Sequence, residues 1–391
     1  MTTSAEPNTA EEFQNALDFI NSGSHPIDEY LQKLMDFSEV LEFSDILLES
    51  DGEVCFRVPS GWRTTGYGIL SDAELQKTIG WLRGADAVAQ PEIARGDLGP
   101  RNELSVGLGK WRLRCTIFTT VARLKTKVMI RKLPEKIPDL KTLGLGVIVG
   151  QLVRATRGLV IVSGPTGVGK STTMASILQK MLDTRPIHAV TIEQPIEYVL
   201  SQGKGLVSQR EVGSDVDSFE QGLKDAMRQT PDAILVGEVR TREEAEVAFR
   251  ATEHGRFVIL STHGRDAVSA IQKLLSFFNA DEQRSKAQIL SNHLVCVIQQ
   301  SLIPSINSHS WELAYESFFK GDKPEVINIL ADPEKHDQLR AMLNSGNLQH
   351  SISMNSMLKS LLKDKKVSLT DALSATIDPM GLKNLIERGD Q

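Results

Sequence analysis

Gly164-Pro165-Thr166-Gly167-Val168-Gly169-Lys170-Ser171 forms a G-x-x-x-x-G-K-[ST] octapeptide between the apolar run Gly158–Ser163 and the helical pattern Thr172–Leu182. A wholly apolar strand that feeds a helix through a glycine-rich loop must lie inside a sheet covered on both faces, so the motif restricts the chain to an α/β arrangement. Glycines let backbone N–H groups curl around a phosphate, and the helix N-terminus adds its partial positive charge. Lys170 suits the terminal phosphate oxygens and the Ser171 hydroxyl suits magnesium. Gly164, Pro165, Thr166, Gly167, Val168, Gly169, Lys170 and Ser171, with Thr172 opening the helix, are the candidate nucleotide-binding residues. The alternative is a tight strand-to-helix turn with no ligand.

Further apolar runs at Ala189–Ile192, Ala233–Val236 and Phe257–Leu260 alternate with helical patterns such as Ser218–Arg228 and Thr241–Ala251. The second helix opens on Thr241-Arg242-Glu243-Glu244, a capping-box sequence, and presents Ala245, Ala248 and Phe249 on one face. Each strand delivers the residue after it to the sheet's C-terminal edge, where a phosphate held by the glycine loop would lie. Glu238 follows the third run and is the candidate general base; Glu193 follows the second and is a candidate catalytic carboxylate and, with Ser171, magnesium ligand. His263, two residues past Ser261, reaches the same edge as a candidate γ-phosphate sensor. Each has a plainer reading, a solvated carboxylate at a strand end or a satisfied loop histidine.

The 391 residues are enough for about two domains. Before the connector Pro134–Lys141 the pattern is mixed, with helices near Tyr30–Met35 and Asp72–Leu82 and strands at Asp45–Leu48, Val54–Val58, Arg112–Thr119 and Lys127–Ile130. The expected organisation is a polar extension over 1–26, an α+β domain over 27–133, a linker over 134–141, an α/β domain over 142–310 and a helical region over 311–391. Net charge is −6, and four Trp and four Tyr give no basic-aromatic track, so nucleic acid is not an expected partner. Three scattered cysteines suggest neither a disulfide framework nor a zinc site. The acidic start has no secretory signal pattern, and Ala287–Trp311, the longest charge-free stretch, is too polar to span a bilayer; a cytoplasmic protein is expected.

In order, the glycine loop, V-T-I-E-Q-P-I-E (Val190–Glu197), S-Q-R-E-V-G (Ser208–Gly213) with D-S-F (Asp217–Phe219), I-L-V-G-E-V-R (Ile234–Arg240) and the segment through His263 resemble the secretion-superfamily ATPases of the PilT/DotB branch. Phe43–Leu48, Arg112–Arg114 and Ile130–Pro134 resemble the amino-terminal module of that family. The resemblance implies a PAS-like amino-terminal domain, a RecA-like P-loop domain with a helical carboxy-terminal tail, and a homo-hexamer hydrolysing ATP with Mg2+. It implies arginines of the amino-terminal domain that approach the nucleotide; Arg101, Arg112, Arg114 and Arg131 are the candidates, with Arg114 and Arg131 first. It also implies work at the inner-membrane face on platform or secretion-channel partners, either a type IVB secretion or conjugation system or a type IV pilus.

Two departures stand out. Gln194 replaces the family's usual Asp, and Arg256 stands where the family has its first histidine, so phosphate sensing is expected to differ in detail. Gln194 and the polar extension tip the expectation narrowly toward type IVB secretion. A nucleic-acid motor and a nucleotide-binding ring without turnover are the competing classes; the absence of N-K-x-D favours ATP over GTP.

Overall fold

The structure is a computed structural model that describes residues 27–36, 43–58, 61–64, 70–89, 102–109, 111–121, 124–134, 136–306 and 311–387. The expected extension over 1–26 and Arg101 lie outside the described residues. The chain forms two compact units, Met1–Glu135 and Lys136–Gln391.

In the first unit, helices α1 (Ile27–Asp36) and α2 (Asp72–Ala89) accompany strands β1 (Asp45–Glu49), β2 (Cys55–Val58), β3 (Gly61–Thr64), β4 (Glu103–Leu108), β5 (Trp111–Thr120) and β6 (Lys125–Leu133). The strands pair antiparallel in the order β3-β2-β1-β6-β5-β4. Along β5, Trp111, Leu113, Cys115 and Ile117 are buried and alternate with more exposed residues, the period-two pattern of a sheet with one covered face. Leu31, Leu34 and Met35 of α1 and Leu75, Ile79 and Leu82 of α2 belong to the same core. Strands β3 and β4 were not expected: β3 is exposed throughout, and β4 buries only the three alternate residues Leu104, Val106 and Leu108.

The second unit contains α3 (Gly146–Leu152), β7 (Gly158–Ser163), α4 (Lys170–Thr184), β8 (His188–Glu193), β9 (Leu206–Glu211), α5 (Phe219–Arg228), β10 (Ala233–Val236), α6 (Arg242–Glu253), β11 (Phe257–Thr262), α7 (Ala267–Leu275), α8 (Ala280–His293), β12 (Leu294–Pro304) and β13 (Trp311–Phe319). Helices α9 (Pro324–Leu330), α10 (His336–Asn344), α11 (Met354–Lys363), α12 (Leu369–Ala375) and α13 (Pro379–Glu387) follow. The sheet order is β13-β12-β7-β11-β10-β8-β9, parallel except for the antiparallel pair β12–β13. Strand β7 feeds two cores: Leu159 and Ile161 face one, Val160 and Val162 the other. That is why its sequence is apolar without alternation.

The expected boundary at 310/311 is corrected by this sheet. Trp311–Phe319 is a strand paired along its length with β12, and the helical region begins only at Pro324. Its buried run Ala314–Phe319 contains Glu316 and Ser317, which broke the apolar signal that marks an interior strand. Helices α11, α12 and α13 then build a small core of their own, with Leu358, Leu361, Ala372 and Leu382 against Ile303 and Ala314.

Local chemistry starts the helices as the sequence indicates. Thr241 accepts from the Glu244 N–H while the Glu244 carboxylate accepts from the Thr241 N–H, completing the capping box of α6. Ser218 and Ser368 cap α5 and α12. Ala245, Ala248 and Phe249 are buried, and the Phe249 ring meets Phe278 edge-on at 5.6 Å. Phe249→Ala is expected to destabilise the second unit by about 3–5 kcal/mol, the range for deleting a buried aromatic ring. The check is a denaturant titration of the full chain; a loss under about 1 kcal/mol would contradict this packing.

Candidate functional site

The glycine loop leaves β7 through Gly164 at φ +143°, and Gly167 and Gly169 follow at +84° and +86°. L-residues avoid this left-handed region. At Gly164 the constraint is also spatial, because a Cβ there would lie 2.6 Å from the Gln300 carbonyl oxygen. Lys170 begins α4 and folds back over the loop, its ammonium donating to the Gly164 and Pro165 carbonyls at 2.8 and 3.0 Å. Burial pulls the Lys170 pKa below its ordinary value, Arg240 adds to that, and the charges of Glu238 and Glu197 oppose it. Thr172 shares a 2.9 Å hydrogen bond with the Tyr198 hydroxyl.

Glu238 and His263 come together at the end of this loop. His263 Nε2 lies 2.5 Å from Glu238 Oε1, and its Nδ1 lies 3.2 Å from the Gly164 carbonyl oxygen. Both partners are acceptors, so the ring bridges the loop carbonyl and the carboxylate, with the donating nitrogen set by its tautomer. On the other carboxylate oxygen, Arg240 donates through Nε at 2.8 Å and through a terminal nitrogen at 2.5 Å. Burial pushes the Glu238 carboxyl up, but Arg240, His263 and Lys170 together hold it below the ordinary glutamate value. The result is an ionised carboxylate beside the phosphate-type loop, held by one fork of positive charge and one imidazole.

Glu193 ends β8 on the far side of β10. Its Oε1 accepts from Thr191 Oγ1 at 2.7 Å and from Gln209 Nε2 at 3.2 Å. Gly237 fills the step between the two strand ends: its N–H donates to the Ile192 carbonyl, and a Cβ there would sit 3.3 Å from Glu193 Cα. The Gln194–Pro195 bond that follows is cis.

The remaining candidates are placed differently. Arg256 immediately precedes β11, whereas His263 follows its end, so the strand's six residues separate them by roughly 20 Å at about 3.3 Å per residue. Arg114 and Arg131 face each other in the β5–β6 register of the first unit. Arg131 Nε donates to the buried Asp45 carboxylate at 2.7 Å, and Arg114 lies 3.5 Å from Glu103. Two participants escaped the sequence reading. Arg240 closes the I-L-V-G-E-V-R segment but was given no role there, although its place two residues past Glu238 was the available signal. Gln300 is a fully buried amide inside an apolar strand.

The family of type II/IV secretion system proteins matches residues 99–352. The chain belongs to that family. It is a secretion-superfamily ATPase of the PilT/DotB branch, as its motifs indicate. It is 30% identical over 303 residues to the type IV pilus ATPase PilU of Pseudomonas aeruginosa, covering 77% of this chain and 78% of that protein. To the type IV pilus retraction ATPase PilT of the same organism it is 34% identical over 244 residues, 62% of this chain and 70% of that one. Among solved structures, the pilus retraction motor PilT with bound ADP superposes with TM-score 0.78 at 30% identity, covering 92% of this chain and all 100% of that one. The Legionella pneumophila ATPase DotB shares the fold, at TM-score 0.73 and 22% identity over 94% of this chain and 98% of that one. The chain is thus a secretion or pilus ATPase of the PilT family with an α+β amino-terminal domain and a RecA-like domain. No helix among the described residues is long and apolar enough to cross a membrane.

The loop that carries His263 is anchored to the carboxy-terminal helices. Asp266 caps α7, is nearly fully buried, and accepts from Arg340 of α10. Burial pushes the Asp266 carboxyl up, yet hydrogen bonds from Arg340 and Ser269 hold it below the ordinary aspartate value. A depressed folded-state pKa stabilises above the unfolded value, and that stability is lost as pH falls through the folded pKa. Arg340→Met is therefore expected to cost roughly 1–3 kcal/mol at pH 7, discounted for the solvent-facing guanidinium, with the gap to wild type closing in acid. Urea midpoints between pH 3 and pH 7 test this; a difference independent of pH would refute it.

Proposed function

We propose that the chain hydrolyses ATP and converts turnover into domain motion that drives an envelope-spanning machine. The observation that carries this reading is the Lys170-lined glycine loop with the ionised Glu238 held beside it by His263 and Arg240. The residues suit the ligand: a left-handed glycine cradle with no room for a side chain at Gly164, a lysine at its mouth, and a hydroxyl and a carboxylate of the types that bind magnesium. Bound magnesium supplies charge neutralisation at the phosphates, with Ser171 and Glu193 as its proposed ligands.

Glu238 orients the attacking water and accepts its proton, which requires the carboxylate to be ionised; Arg240 and His263 keep it so and fix its direction. Lys170 exchanges its two loop carbonyls for phosphate oxygens, a charge-assisted replacement for neutral hydrogen bonds. His263 touches both the loop carbonyl and the base, so displacement at Gly164 on phosphate binding is felt at Glu238. Arg114 and Arg131 are proposed to reach the nucleotide of a neighbouring subunit in a homo-hexamer, a role supported by the family resemblance.

The machine is proposed to be a type IV pilus, with the chain at the inner-membrane face against platform proteins. Identities of 30% and 34% to PilU and PilT support this. The type IVB secretion reading has the DotB likeness in fold and the Gln194 departure in its favour. Pulldown of pilus platform components against secretion-channel components separates the two.

Lys170→Ala is expected to abolish binding of a fluorescent ATP analogue. Glu238→Gln keeps that binding and loses about 10²–10⁴ in phosphate release. Full turnover in the Glu238 variant would remove it as the base. Arg114→Gln is expected to lower turnover by about 10³–10⁵ with melting temperature and analogue affinity little changed, whereas a merely solvated arginine costs almost nothing.

A further inference from the structure

Glu316 is buried in the interior of β13, and its two carboxylate oxygens serve two different helices. Oε1 accepts from the Ala267 N–H at 2.8 Å, and Oε2 accepts from the Met354 N–H at 3.3 Å. These are the first residues of α7 and α11, so one negative charge sits at the positive ends of two helix dipoles. Beside it, Ser317 and Ile352 exchange both backbone N–H···O bonds at 2.9 Å, which fixes the approach to α11 against β13.

Between Ala267 and His263 the backbone has no slack. The Arg265 and Asp266 N–H groups both donate to Ser269 Oγ at 2.9 Å, and Asp266 accepts from the Ser269 N–H at 2.6 Å. A Cβ at Gly264 would lie 2.8 Å from the Ala270 nitrogen and 2.9 Å from Ser163 Oγ. A shift at the start of α7 is therefore passed to His263, whose Nε2 lies 2.5 Å from Glu238 Oε1.

The strand register carries the same link independently. Glu316 stands opposite Gln299, Gln299 opposite Ser163, and Ser163 opposite Thr262. Opposed residues share a face of the sheet, so these four buried polar residues form one row across β13, β12, β7 and β11. The row ends on Thr262, the residue before His263. Ser163 Oγ, Thr262 Oγ1 and Gln299 Oε1 have no partner among the described residues, so these three atoms give α7 no hydrogen-bonded hold on the sheet. Glu316, at the other end of the row, does hold it.

We propose that Glu316 is a positioning residue for the reaction: by tying the first residues of α7 and α11 to one carboxylate, it holds His263 against Glu238. The carboxy-terminal helices thereby support a sheet edge to which they contribute no reacting group. This rests on the ATPase reading above and assigns a residue that does not itself touch the nucleotide.

The test is a double-mutant cycle on the full chain, reading phosphate release at saturating ATP and affinity for a fluorescent ATP analogue. Glutamine at 316 is isosteric but keeps a single acceptor oxygen, so one helix start is released. Glu316→Gln is expected to lower turnover about ten-fold or more, since an ångström of misplacement can cost about 10²-fold. Analogue affinity stays within about two-fold, as for an interaction that acts only on the chemical step. His263→Ala lowers turnover by itself, and adding Glu316→Gln to it costs less than about two-fold more, because a residue acting through another does not add to its loss. Phe249→Ala, which weakens the same unit elsewhere, keeps turnover within about two-fold of wild type well below its melting temperature. Unchanged turnover in Glu316→Gln, additive losses in the double variant, an equal loss in analogue affinity, or an equal loss of turnover in Phe249→Ala overturns the proposal. If Glu316→Gln does not fold, Glu316→Asp, charged but one methylene shorter, takes its place in the cycle. Wild-type turnover that is absent, or that survives Glu238→Gln undiminished, overturns the ATPase reading itself and this proposal with it.

Discussion

The in-register parallel pairing of β7 with its two neighbours sets the positions of everything else at the site. Ser163 stands opposite Thr262 of β11 and opposite Gln299 of β12. The next residue on each strand is therefore Gly164, His263 and Gln300, side by side at one edge. That adjacency lets His263 reach the Gly164 carbonyl and lets the Gln300 carbonyl press on Gly164 from the other side. A slip of one residue in either pairing would reverse the faces of the apolar residues and separate these three groups at once. Burial of both faces of β7 is thus what holds the chemistry in line.

The polar groups at that edge act as a chain of dependencies. Glu238 is ionised because Arg240, His263 and Lys170 surround it, and Lys170 keeps its charge against burial partly because Glu238 and Glu197 are near. Removing one member alters the balance for the rest, so single substitutions here report on a network and need not add. Beyond His263, the chain turns at Gly264, where a Cβ would lie 2.8 Å from the Ala270 nitrogen, and enters α7 under the Asp266 cap held by Arg340. Packing of the carboxy-terminal helices thereby reaches this sheet edge through one buried carboxylate.

Much of this was legible in the sequence wherever one signal dominated. The glycine loop, the four apolar runs and the capping box of α6 fix their own local structure, so strand and helix followed from residue type and spacing. Glu238 and His263 could be placed at one sheet edge because each follows such a run. Reading failed where neighbours decide. Strand β13 hides Glu316 inside the fold, where it accepts the Ala267 and Met354 N–H groups, and such a residue looks like surface in a sequence. Gln300 gave no sign of sitting beside the glycine loop, since only the β7–β12 pairing brings it there.

Arg131 is tied to Asp45, a carboxylate only 2% exposed, while Arg57 stands by at 3.7 Å. The buried carboxylate therefore has two guanidiniums within reach. With the Ser44 hydroxyl also donating to it, Asp45 keeps a polar partner if either ion pair opens.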